Sequence, residues 1–124
     1  MINFELPQAG VYEFVPRKRI RWGQSALDAV REEIGDAERL FILTTASLVN
    51  KTPIIDEMQA GLSTQCSGLF YDISEHTPFG DVVAAAQVVR DANANIILSV
   101  GGGSIIDAAK AVIICLRENI DTVE

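Results

Sequence analysis

Alternating polar and apolar residues open the chain. Val11-Tyr12-Glu13-Phe14-Val15 and Arg19-Ile20-Arg21-Trp22 each switch character at every step, with Pro16 between them. Period two on both sides of a turn predicts an antiparallel hairpin, which Gly23 ends. The period then lengthens: Ala26, Leu27, Val30 and Ile34 lie on one face of a helix that Gly35 stops. Beyond it come three short, nearly continuous apolar runs, at 39–44, 68–72 and 96–100. Runs apolar on both faces suit parallel strands covered on both sides.

Helical patterns separate these runs. One spans about 47–60, where Pro53 interrupts the helix or starts a second piece. Another opens at Thr77-Pro78, with Thr77 as cap, and turns Val82, Val83, Ala86 and Val89 inward. The last, 104–118, carries Ile105, Ile106, Ala109, Val112, Ile113 and Leu116. It is apolar around much of its circumference and is expected to be central and well covered. Hairpin, helix and repeated strand–helix units predict an α/β fold with a parallel sheet and right-handed crossovers. With no strand pattern after the last helix, residues 1–124 are expected to form one incomplete domain.

Composition narrows the function classes. A net charge of −7 argues against a general nucleic-acid binder. The one basic cluster, Arg17-Lys18-Arg19-Ile20-Arg21, reads as a solvated hairpin. Cys66 and Cys115 both lie in apolar surroundings and are expected to be buried thiols. Neither a signal-peptide pattern nor a span of about 20 apolar residues is visible, so a cytoplasmic protein without membrane contact is expected.

In an open α/β sheet, ligands bind at the carboxyl ends of the strands. Three segments qualify: Thr44-Thr45-Ala46-Ser47, His76-Thr77-Pro78 and Gly101 to Asp107. In the third, a strand meets three glycines and then a helix. A loop without side chains lets an anion approach the backbone, and a helix start offers free N–H groups and a partial positive charge. The pattern is neither GxGxxG nor a Walker A loop. Ser104 and Asp107 also have capping-box spacing, so a plain strand-to-helix turn is an alternative. Lys110 suits an i,i+3 partner of Asp107 as well as a ligand role.

The longer string Gly-Gly-Gly-Ser-x-x-Asp-x-x-Lys, Gly101 to Lys110, resembles the iron-containing (group III) alcohol dehydrogenase family. Glycerol dehydrogenase and dehydroquinate synthase belong to the same superfamily. Segments 16–27 and 41–48 also look like that family's entry hairpin and first nucleotide-contacting strand, and Glu75-His76-Thr77-Pro78 is similar to maleylacetate reductases. The resemblance implies a Rossmann-like fold and an NAD- or NADP-dependent hydride transfer on a small alcohol, aldehyde or ketone. It implies that Gly101, Gly102, Gly103, Ser104 and Asp107 hold the pyrophosphate and nicotinamide region, with Thr77 beside the cofactor. Thr45 matches a position where many NAD-using members carry Asp, so NADP is expected to be tolerated and even preferred. The family is further expected to form homodimers through its N-terminal strands.

The family's iron or zinc is held by one Asp and three His in a C-terminal helical domain. This chain has one histidine, His76, and cannot supply that ligand set. No catalytic or metal-binding residue is therefore assigned, and the chain alone is expected to be inactive. Two other readings are open: a non-catalytic nucleotide-binding or dimerisation module, and a lyase portion of the dehydroquinate-synthase type.

Overall fold

The computed structural model describes residues 10–14, 18–36, 38–74 and 78–119. The chain divides into two compact units, Met1–Gly35 and Asp36–Glu124.

In the first unit β1 (Gly10–Phe14) and β2 (Lys18–Trp22) pair antiparallel, from Gly10 opposite Trp22 to Phe14 opposite Lys18. Helix α1 (Ala26–Glu33) follows, its first turn capped by Ser25, whose hydroxyl accepts the Asp28 N–H at 3.1 Å. Arg21 Nε donates to Glu33 Oε1 at 2.7 Å and Arg21 also pairs with Glu32. Arg19 lies 3.4 Å from the Glu33 carboxylate. Those two arginines of the basic cluster are thus matched by carboxylates of α1, as a solvated hairpin requires.

The second unit runs β3 (Leu40–Leu43), α2 (Ala46–Lys51), α3 (Ile54–Gly61), β4 (Cys66–Phe70), α4 (Phe79–Asp91), β5 (Ile96–Ser99) and α5 (Gly103–Glu118). Its sheet is parallel, in the order β4-β3-β5. The central position of β3 explains its composition: all four residues are fully buried. Phe41 and Leu43 join one core cluster with Val82, Ala86 and Val89 of α4 and Ala108, Val112 and Cys115 of α5. Alternation turns Leu40 and Ile42 to the other face, where a right-handed crossover carries α2 and α3. Ile55 and Met58 of α3 and Leu62 just after it are buried. Arg90 of α4 donates from Nη2 to the Cys115 carbonyl at 2.8 Å, tying the two core helices together.

The structure settles one open expectation and corrects three others. Pro53 does restart the helix, so 47–60 is two helices, with Pro53 at the N-cap of α3. Strand β4 lies two residues earlier than its apolar run suggested, because pairing with β3 decides it. Ser67 is the extra residue of a bulge between the Leu40–Cys66 and Phe41–Gly68 pairs, and its hydroxyl donates to the Leu40 carbonyl at 3.0 Å. Cys115 is buried, but Cys66 is only half-buried, and both are free thiols. Helix α5 buries one side only: Ile106, Ile113 and Ile114 are 46, 40 and 56% exposed. Among the described residues no helix is long and apolar enough to cross a membrane.

Candidate functional site

From β3 the chain moves to one side, to β4, and then crosses back to the other side, to β5. The order therefore reverses between β3 and β5, and the carboxyl ends of neighbouring strands splay into a crevice at such a point. A cleft of 610 Å³ lies there, lined by Thr45, Ala46, Ser47, Ile73, Ser74, Ser104 and Ile105. Three loops contribute: those after β3 and β4, and the start of α5. Its volume is in the range of small-molecule sites.

Each wall has a local cause. Thr45 ends the β3 segment and caps α2, its hydroxyl accepting the Leu48 N–H at 3.2 Å. Behind it, Thr44 is fully buried and its hydroxyl donates to the Val100 carbonyl at 2.7 Å. The loop after β4 is held by Asp81 in the first turn of α4, which accepts the Ser74 N–H at 2.8 Å. The third wall follows the glycine turn. Gly101 has φ +151°, and a Cβ there would stand 3.0 Å from Ile105 Cγ1. Gly102 and Gly103 are exposed, and a Cβ on either would meet nothing within 4 Å.

The cap of α5 differs from the capping box that the spacing of Ser104 and Asp107 suggested. Gly102 occupies the N-cap position without a side-chain bond, and Ser104 stands inside the first turn. Helix α5 therefore begins at Gly103, one residue earlier than expected. The N–H groups of Ile105 and Ile106 return to the Gly102 carbonyl at 3.1 and 3.2 Å. The amides of Gly101, Gly102 and Gly103 find no acceptor among the described residues. Bare main-chain donors at a helix start, with open space before them, fit a diphosphate.

Of the residues singled out from sequence, Thr45 and Ser104 line the cleft, and Gly101, Gly102 and Gly103 form the turn that leads into it. Asp107 is exposed one turn further along α5 and is not among the lining residues. Thr77 and His76 lie outside the described residues. Ile73 and Ser74 were missed because the apolar run placed β4 too late in the chain. Among the described residues, none that lines the cleft carries a carboxylate. Among the described residues no group of three His, Cys, Asp or Glu side chains could hold a metal ion, so those residues do not fit the family's iron.

Comparison with known proteins agrees with this fold. The chain is 30% identical over 105 residues to the NADPH-dependent aldehyde reductase YqhD of Escherichia coli, covering 83% of this chain and 27% of that protein. It is 31% identical over 102 residues to a maleylacetate reductase of Sphingobium indicum, covering 82% and 28%. The solved structure of YqhD free of substrate and cofactor superposes with a TM-score of 0.63 at 27% identity, over 72% of this chain and 23% of that one. Maleylacetate reductase from Agrobacterium tumefaciens gives 0.59 at 25% identity, over 75% and 25%. The chain thus spans about a quarter of the length of these relatives. The profile of the family described as iron-containing alcohol dehydrogenase matches residues 16–124, and the chain belongs to that family.

Proposed function

We propose that this chain forms the dinucleotide-binding part of an NAD(P)-dependent oxidoreductase acting on a small carbonyl compound or alcohol. The observation that carries the reading is the glycine turn between β5 and α5, which presents unengaged amides beside a cleft at the sheet's switch point. A bound nicotinamide supplies or accepts the hydride. The chain's own contribution is positional. The Gly101–Gly103 amides hold the diphosphate, Ser104 adds a hydroxyl at the same helix start, and Ile73 and Ile105 give the cleft apolar surface for a ring. No metal-dependent step runs through the described residues.

The cleft lining also supports a cofactor preference. A carboxylate beside the adenosine ribose hydrogen-bonds its hydroxyls and repels a 2′-phosphate. Thr45, Ala46 and Ser47 present hydroxyls and a methyl instead. NADPH is therefore expected to bind at least as tightly as NADH. Calorimetric titration with both checks this: binding of neither removes the reading, and a strong NADH preference removes the cofactor assignment. Pairing of two copies through the hairpin strands belongs to the same proposal, and a monomer in sedimentation would refute that part.

A further inference from the structure

We infer that Thr44 is the positioning residue of the glycine turn: its hydroxyl sets the orientation of the Val100–Gly101 peptide and thereby aims the Gly101 amide. The inference rests on the dinucleotide reading of the cleft and assigns a role to a residue that does not line it.

Three observations carry it. First, Thr44 is the buried polar residue of the second unit's core among the described residues, with no exposed surface, and its hydroxyl donates to the Val100 carbonyl at 2.7 Å. Second, the main chain around it is already committed. The Val100 N–H donates to the Leu43 carbonyl at 2.9 Å and the Thr44 N–H donates to the Phe70 carbonyl at 3.0 Å. In a continuing parallel ladder, a further main-chain amide would meet the Val100 carbonyl. Here the chain leaves the sheet at Thr45 to start α2, and the Thr44 hydroxyl supplies the donor in its place. Third, the next residue is Gly101 at φ +151°, a conformation that other residues rarely adopt. A trans peptide points its N–H opposite to its C=O. Holding the Val100 carbonyl toward β3 therefore fixes the Gly101 N–H away from it. Ile105, packed at the other side of Gly101, closes the turn from the helix end. The turn is thus gripped before and after its glycine, and the forward grip is one hydroxyl.

The alternative is a purely structural hydroxyl that satisfies a buried carbonyl without affecting the turn. Thr44→Val keeps the shape and removes the donor, and Thr44→Ser keeps the donor and removes a methyl. Both are compared with the unaltered chain by NADPH titration, by thermal melting and by the amide resonances of Gly101, Gly102 and Gly103. The expected result is that Thr44→Val weakens NADPH about tenfold, the size of one lost hydrogen bond, and shifts or broadens the three glycine amides. Thr44→Ser should bind within about twofold of the parent, keep those resonances, and yet melt lower through its lost methyl. Unchanged glycine amides in Thr44→Val overturn the inference, as does equal loss of affinity in both variants. If the unaltered chain binds no NADPH, the dinucleotide reading falls, while the amide comparison still decides whether Thr44 positions the turn. Should Thr44→Val not fold, Thr44→Cys, similar in size and a weaker donor, carries the same comparison.

Discussion

Gly101 and Gly102 are neighbours with opposite demands. Gly101 needs its missing Cβ for conformation, because its φ is +151° and Ile105 crowds the space. Gly101→Ala is expected to lower stability by about 1–3 kcal/mol, the size of local backbone strain, as read by denaturant unfolding. Gly102 has φ −87°, which any residue adopts, and open space beside it. Gly102→Ala should therefore leave unfolding nearly unchanged but weaken NADPH binding severalfold, since a methyl would stand where the diphosphate approaches. A variant that binds normally would remove Gly102 from the cradle. At Thr45 the hydroxyl caps α2, and Asp caps equally well. Thr45→Asp is expected to keep the fold and move the cofactor preference toward NADH, measured as the ratio of the two affinities.

Among elements, what the sequence makes legible depends on what stabilises each one. Strand β3 announces itself because burial on both faces makes its four residues apolar without a break, and half-buried β5 still shows the apolar run Ile96-Ile97-Leu98. Strand β4 does not, because its first residues, Cys66 and Ser67, are held by pairing with Leu40 and a bulge, neither of which leaves a pattern in the chain. The start of α5 was misplaced for a related reason: Ser104 looks like a cap, but the glycines before it can enter the helix backbone first. The glycine turn itself was plain, whereas Ser74 and the Thr44 hydroxyl bond depend on which strands become neighbours. Gly68 is another such case. A Cβ there would stand 2.6 Å from Phe41 Cε2 in the fully buried strand beside it. Gly68→Ala is expected to cost about 1–3 kcal/mol through forced repacking. In the first unit, the Arg21 side chain, by its hydrogen bond and charge, with Arg19 nearby, holds the Glu33 carboxyl below the usual carboxylate range. The contribution of a lowered carboxyl is present above its unfolded pKa and is lost as pH falls through the folded value. Glu33→Gln should thus be slightly less stable than the parent at pH 7, by a gap that closes as pH falls through the folded value and that is small because the pair is exposed. A gap that widens in acid would contradict the pairing.

At the scale of the molecule, α5 shows three isoleucines to solvent on the side away from its core. Exposed apolar side chains clustered on one helix favour association. Light scattering is expected to show concentration-dependent growth in mass that Ile114→Lys reduces, and a constant monomeric mass would contradict it. The central place of β3 has another consequence, in the order of assembly. Its partners lie far along the chain: Ser67 bonds to Leu40 across 27 residues, and Thr44 bonds to Val100 across 56. Such distant closures slow folding, since ordering long loops precedes any reward. Strand β3, the most apolar of the described strands, leaves the ribosome well before the strand that will cover its second edge. For that interval the nascent chain carries an open apolar seam along β3, and unpaired strand edges of this kind invite aggregation.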